Sequence, residues 1–247
     1  MLTQGKFTIT QNSKIARDVF LMRLAGEHSI ATPGQFVQIA LDGFYLRRPI
    51  SVCDFGDGWF TIIYKVVGEG TKAMSTIEEN TSLDILTGLG NGFDAEASQK
   101  PLLIGGGAGV PPLYALAKAF VRDTKPVRVL LGFNEQSDVF FADEFRQLGC
   151  EIHVSTVEQS KYHRGFVTDL LDKVSAYDHY YACGPEPMLK AVYAACPVSG
   201  QLSFESRMAC GFGACMGCSC ATRYGSKRIC KDGPVLTKEE IVWQTPR

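Results

Sequence analysis

Apolar and polar positions alternate along the first third of the chain. Residues 5–11, 18–24, 34–41, 51–55 and 59–67 form short runs rich in β-branched and aromatic side chains. Turns such as Thr32-Pro33-Gly34 and Gly56-Asp57-Gly58 separate them. A period of two marks strands with one face buried, and their spacing predicts a small antiparallel barrel. A single helix is expected over residues 70–79, opening on Gly70-Thr71 and stopping at Asn80-Thr81.

From about Lys100 the period changes. Compact apolar runs at 101–104, 127–133, 151–157 and 179–184 read as strands, and 110–123, 137–148, 167–174 and 185–196 have helical spacing. Repeating βα units predict a doubly wound parallel sheet with ligand-binding loops at its strand ends. After a last expected strand at 201–208 come a cysteine-rich loop and a short tail. The organisation read from the chain is therefore a β-barrel over 1–98, an α/β domain over 99–200 and a cysteine region over 201–247. No internal repeat or low-complexity tract is visible.

Composition narrows the function classes. The 247 residues are 45% hydrophobic and 21% charged, with a net charge of −1. That is the make-up of an ordinary globular protein with enough apolar material for real cores. The basic pairs Arg47-Arg48 and Lys227-Arg228 are too short to make a nucleic-acid or anionic-membrane surface. There is no signal-peptide pattern and no apolar run of membrane-spanning length. A cytoplasmic protein without nucleic-acid or membrane partners is the expectation. In that reducing setting dense thiols point to metal more than to disulfides, and nine cysteines cannot all pair.

The segment CGFGACMGCSC carries Cys210, Cys215, Cys218 and Cys220, with Cys230 further on. Cys210, Cys215, Cys218 and Cys230 give C-x4-C-x2-C and a lone fourth cysteine, the plant-type [2Fe–2S] spacing. Structural zinc, the alternative, uses two C-x2-C knuckles or pairs one with histidines. Here there is one such knuckle, and no histidine follows His179. Gly211, Gly213 and Gly217 let backbone N–H groups turn toward the sulfurs. Cys220 is read as a neighbouring thiol, with exchange for Cys218 as the alternative.

Two glycine-bearing loops sit at strand ends that open onto helices. The first is Gly105-Gly106-Gly107-Ala108-Gly109, followed by Pro111 and Pro112. The second is Cys183-Gly184-Pro185. Glycine permits close backbone approach to a phosphate, a helix N-terminus offers free N–H groups, and proline fits the first helical turn. The spacing Gly107-x-Gly109-x-x-Pro112 and the Cys-Gly-Pro turn resemble the ferredoxin–NADP reductase superfamily. The resemblance implies that the first loop holds the phosphates of NAD and that the second lies by the nicotinamide. It also implies a flavin strand: Arg48-Pro49-Ile50-Ser51 resembles the family's R-x-Y-S motif, with Ile50 in place of the tyrosine. Arg48 would then pair with the FAD phosphates through parallel N–H bonds. Ser51 and the backbone would meet the ring edge. Ile63, Tyr64 and Lys65 add an aromatic and a cation on the next strand, and Gly70-Thr71 forms a second phosphate cradle.

Over its whole length the chain resembles the electron-transfer subunits of NAD-dependent dihydroorotate dehydrogenases. The residues that carry this are Arg48 to Ser51, Gly70-Thr71, the loop from Gly105, the turn from Cys183, Phe204-Glu205-Ser206-Arg207-Met208 with the cysteine loop, and Cys230-Lys231-Asp232-Gly233-Pro234. The resemblance implies an FMN-containing catalytic partner subunit, two copies of each chain, and a place in pyrimidine (UMP) biosynthesis. Electrons from dihydroorotate would pass over the [2Fe–2S] cluster and FAD to NAD+. Such a relay needs no nucleophile, and no such arrangement is found. Glu135, after the second parallel strand, favours NAD over NADP because it would repel a 2′-phosphate. The alternatives are a flavin reductase or diaphorase subunit of another redox complex, such as a hydrogenase or sulfide-oxidising system, and a zinc-stabilised binding module.

Overall fold

A computed structural model describes residues 2–243, so the final residues of the tail, 244–247, lie outside the described residues. The first element, β1 (Thr3–Ala16), alternates buried Phe7 and Ile9 with exposed polar residues. It is followed by β2 (Val19–Ala25), β3 (Phe36–Ile39), β4 (Arg48–Gly56) and β5 (Trp59–Lys65). Then come helix α1 (Glu69–Ser75) and β6 (Ser82–Leu89). The six strands close into an antiparallel barrel in the order β1-β2-β5-β4-β3-β6. Its core is filled by Met22, Leu24, Val37, Ile39, Phe60, Ile62 and Ile85.

The sequence pattern missed β6. Asp84 and Gly88 are poor strand formers, but closure rewards them. Asp84 faces outward and takes the Arg47 guanidinium at 2.5 Å, while Leu83 and Ile85 fill the barrel. Helix α1 is shorter than expected because the N–H of Thr76 turns back to the carbonyls of Ala73 and Met74.

The second layer begins with β7 (Pro101–Gly106), α2 (Pro111–Arg122), β8 (Arg128–Phe133), α3 (Ala142–Gln147), β9 (Glu151–Thr156) and β10 (His163–Arg164). It continues with β11 (His179–Cys183), α4 (Glu186–Ala195) and β12 (Gly200–Ser203). Strands β7 to β12 pair in parallel, and the sheet order is β10-β9-β8-β7-β11-β12-β15. Here β13 (Ser219–Thr222) and β14 (Gly225–Arg228) form a hairpin in the cysteine region, and β15 (Val235–Thr237) adds an antiparallel edge. Helices α2 and α3 cover one face, and α4 with a 3-10 turn over Val167–Lys173 covers the other. Both faces of the sheet are therefore buried, which is why β7 reads as an unbroken apolar run.

The expected helix over 137–148 divides into a 3-10 turn at Gln136–Asp138 and the short α3. Phe140 and Phe141 bury themselves against Phe133 and Tyr114, and Phe141 takes a left-handed φ of 63° to do so. In place of the helix expected over 167–174, Val167–Lys173 forms a 3-10 turn. The strand expected over 201–208 stops at Ser203, because the N–H of Phe204 bonds Pro234 and the chain turns into the cysteine loop.

Two connections fix the barrel against the sheet. Leu113, Leu116, Ala117 and Phe120, one face of α2, pack in a core shared with Val19, Cys53 and Ile63 of the barrel. Lys118 pairs with Asp54 at 2.8 Å. Each such fully buried aliphatic side chain contributes about 1.5–3 kcal/mol, so the crevice between the two layers has rigid walls. The cysteine region is tied to the barrel rim through Asn91. The Asn91 N–H donates to Gly233, its side-chain amide donates to Val235, and its side-chain oxygen accepts from the Val235 N–H.

Candidate functional site

Two cavities meet along the crevice. One, of about 320 Å³, is floored by the barrel residues Arg48, Pro49, Ile50, Ser51 and Thr71 and closed by Cys183, Phe204, Glu205 and Met208. The other, of about 530 Å³, is lined by Gly106, Gly107, Gly132, Pro185 and Met188 from the sheet's loops. Ile63, Tyr64, Lys65 and Ala108 line both. All the residues read as flavin-binding except Gly70, and Gly106, Gly107, Cys183 and Pro185 of those read as nicotinamide-binding, therefore line these two adjoining cavities.

In the first cavity Arg48 lies against the N-terminus of α1. A Cβ on Gly70 would sit 2.0 Å from the Arg48 Nε, so a larger residue there would force the guanidinium to shift. Arg48 stacks over Phe44 at 4.7 Å and donates to the Leu46 carbonyl. Among the described residues it has no ion pair, whereas Arg47 is committed to Asp84. A half-buried guanidinium without a carboxylate suits an anionic group. The Thr71 hydroxyl caps α1, accepting from the N–H groups of Val67 and Gly68. Tyr64 borders the cavity, but its ring stacks on Phe20 and its hydroxyl donates to Asn12, so it belongs to the barrel core.

The cavity also has walls that the sequence reading did not assign. Ser203 ends β12 opposite Cys183, and Phe204, Glu205 and Ser206 follow it, so both strand ends point at one place. The available signal was the position of these residues at the end of a parallel strand. Burial pushes the Cys183 thiol up to about 12, with the Glu205 charge adding and the Ser203 contact opposing. Burial also raises the Glu205 carboxyl above its ordinary value.

In the second cavity the two glycine loops interlock. A Cβ on Gly109 would lie 2.2 Å from the Cys183 carbonyl oxygen and 2.5 Å from the Gly184 nitrogen. One on Gly106 would meet the Met188 sulfur at 2.3 Å. Gly105 and Pro112 are buried behind the loop and do not border the cavity. Glu135 is held by Arg17, whose Nη1 donates to both carboxylate oxygens at 2.8 and 2.7 Å, and Arg17 also reaches Asp138.

The cysteine loop presents its four expected ligands as two pairs. The N–H groups of Ala214 and Cys215 donate to the Cys210 sulfur at 3.3 and 3.4 Å. The Cys230 N–H donates to the Cys218 sulfur at 3.4 Å. Among the described residues no three His, Cys, Asp or Glu side chains gather closely enough to hold a single ion. Four cysteine sulfurs and no histidine are the donor set of a two-iron cluster, which takes its thiolates in pairs. Although burial opposes it, the backbone N–H groups of Cys215, Phe212 and Ala214 bring the Cys210 thiol down to about 6. Burial and the Cys218 thiol push Cys230 up to about 12. Cys220 sits on β13 beside the set. The base of the loop is clamped by Arg228, which bonds Asp232 and donates to the Gly213 carbonyl at 3.0 Å.

Comparison with known proteins places this geometry. Residues 205–242 match the iron–sulfur cluster binding domain of dihydroorotate dehydrogenase B, and 103–194 match the oxidoreductase NAD-binding domain. A Fusobacterium nucleatum protein named dihydroorotate dehydrogenase B (NAD(+)), electron transfer subunit, is 44% identical over 251 residues, covering 95% of this chain and 96% of that one. The chain belongs to this family of electron transfer subunits. A Shouchella clausii member is 40% identical over 97% of this chain and 98% of its own. A solved NADH-dependent reduced ferredoxin–NADP oxidoreductase superposes with a TM-score of 0.86 at 30% identity, covering 96% of this chain and 90% of that one. Membership in the electron transfer subunit family bears out the fold class, the oxidoreductase class and the cofactor set of FAD, a [2Fe–2S] cluster and NAD. No helix among the described residues is long and apolar enough to cross a membrane.

Proposed function

We propose that this chain passes electrons from an FMN-containing, dihydroorotate-oxidising partner subunit to NAD+ in pyrimidine biosynthesis. The assembly would hold two copies of each chain. Residues 1–98 would bind FAD, 99–200 NAD and 201–247 the cluster. One observation carries the reading: the cavity behind Arg48 to Ser51 borders all three regions. Ile63, Tyr64, Lys65 and Ala108 connect it to the nicotinamide side. Met208 and Pro234, which flank the four paired thiols in the sequence, close its other side.

When bound, the nicotinamide carries a hydride, the flavin takes two electrons and exchanges one, and the cluster carries one. The chain's own residues bind, orient and shield. Arg48 holds the FAD phosphates, with α1 behind it. Pro49, Ile50 and Ser51 meet the ring with backbone and hydroxyl groups, beside Ile63, Tyr64 and Lys65. Gly106, Gly107 and Gly109 admit the NAD phosphates, while Cys183, Gly184 and Pro185 border the nicotinamide. Cys210 with Cys215, and Cys218 with Cys230, hold the cluster. The apolar side chains of Phe204, Met208 and Met188 keep water from the space between them.

The test is an anaerobic affinity purification from the native cell, followed by a dihydroorotate:NAD+ assay. Co-purification of an FMN protein, with NADH formed only when both subunits are present, is expected. A different partner and no response to dihydroorotate would transfer the relay to another redox complex.

A further inference from the structure

Gln38 on β3 is fully buried, and neither its side-chain nitrogen nor its side-chain oxygen has a hydrogen-bond partner among the described residues. An unpaired buried carboxamide is costly, so a partner is called for. Its neighbours on β3, Val37 and Ile39, enter the barrel core, which turns Gln38 outward with Phe36. Phe36 lines the flavin cavity, and Gln38 pairs in register with Pro49 of the flavin strand. Arg47 satisfies only the backbone carbonyl of Gln38.

The amide faces the cysteine loop. A Cβ on Gly211 would lie 2.1 Å from the Gln38 Nε2 and 2.8 Å from its Oε1. Gly211 follows Cys210 directly and has a left-handed φ of 77°. The loop thus lays its backbone, beside its first thiol, on an amide that lacks an acceptor.

We infer that the Gln38 carboxamide donates a hydrogen bond to a sulfur of the iron–sulfur cluster on the Cys210 side, and is a positioning residue that raises the cluster's reduction potential. The inference rests on the four-thiol reading of the loop. Sulfur accepts N–H donors, and each such bond favours the reduced, more negative state of the cluster. The loop's other donors come from its own backbone. Gln38 comes from the flavin barrel, so one side chain connects the flavin strand to the cluster.

The experiment uses the complex with its partner subunit, purified anaerobically. Gln38→Met keeps the length of the side chain and removes the donor. Iron and acid-labile sulfide, the EPR spectrum of the reduced cluster and a dye-equilibrated redox titration are measured. Full loading is expected, with altered EPR g values and an unchanged FAD potential. The reduction equilibrium of the cluster is expected to fall about tenfold, which is about 59 mV for one electron. A fully loaded Gln38→Met cluster that titrates with the wild type overturns the inference. Should Gln38→Met lose the cluster, Gln38→His, which keeps an N–H donor, is expected to restore it. Loss in both variants marks packing alone and also overturns the inference. A wild-type complex without iron and sulfide would refute the four-thiol reading itself, and this inference with it.

Discussion

Replacing Gly109 by alanine adds one methyl group at the point where the two glycine-bearing loops touch. The new Cβ would lie 2.2 Å from the Cys183 carbonyl oxygen and 2.3 Å from its carbonyl carbon. Ordinary contact between such atoms needs roughly 3.5 Å, so the loops must separate by about 1 Å. Both partners are backbone, one anchored in β7 and α2 and the other in β11 and α4, and neither can rotate away. Overpacking of this kind costs about 1–3 kcal/mol. If NADH needs the loops at their present spacing, that cost corresponds to roughly a 5- to 150-fold loss in affinity.

Gly107→Ala is the internal control. Nothing lies within 4 Å of its would-be Cβ, but its φ of 51° is left-handed, so the cost is conformational and about 1–2 kcal/mol. Gly107→Asn, which tolerates that region better, should recover most of the loss. Gly109 has no such rescue. The assay is NADH titration of the bound flavin's absorbance in the purified chain, with NADH:ferricyanide turnover as a second readout. Neither requires the partner subunit. If Gly109→Ala retains its FAD and binds NADH within twofold of wild type, the interlocked-loop account of the nicotinamide site is wrong.

Further outcomes follow from the same geometry. Arg48→Ala should release FAD on gel filtration, with a loss of about 1.5–3 kcal/mol for a charged hydrogen-bond donor. Arg47→Ala should keep the flavin but destabilise the β3–β6 rim, and equal flavin retention in the two variants would contradict the assignment. Cys215→Ser should abolish the brown absorbance and the labile sulfide, whereas Cys220→Ser should leave both intact; the reverse would redraw the ligand set. Asp178 accepts the backbone N–H groups of Gln99 and Lys100 at 3.0 Å and the Ser98 hydroxyl. Burial opposes ionisation there, but these donors outweigh it and hold the carboxyl below its ordinary value. Its contribution is thus present above the unfolded value near 3.9 and is lost as pH falls through the lower folded value. For this largely exposed group, screening leaves about 1 kcal/mol. Asp178→Asn should therefore cost that much in denaturant melts at pH 7, and the gap should narrow below about pH 4. A gap independent of pH would assign the effect to something other than the charge.

The chemistry of this chain was legible where it is written locally. The spacing of Cys210, Cys215 and Cys218 is short, and the backbone N–H groups that contact Cys210 come from Ala214 and Cys215 on the same loop. Strands β7 and β11, fully buried, and β8, mostly buried, read as apolar runs because both their faces meet helices. Glycine at 109 signals close approach whatever lies opposite.

What is not local had to await the folded chain. Strand β6 is defined by barrel closure more than by its own Asp84 and Gly88. Strand β15 exists because β12 offers it an edge. Glu135 reads in the sequence as an acid without a neighbouring arginine, but the turn between β1 and β2 brings Arg17 to it. That Tyr64 also stacks on Phe20 and bonds Asn12 while bordering the cavity is not visible in the sequence. The wall formed by Phe204 and Glu205, and the approach of Gln38 to Gly211, join residues from opposite ends of the chain. Sequence determines which groups a segment can offer and how its own backbone turns. Only tertiary packing decides which distant group arrives to use them, because that choice is set by the burial and closure of the whole chain.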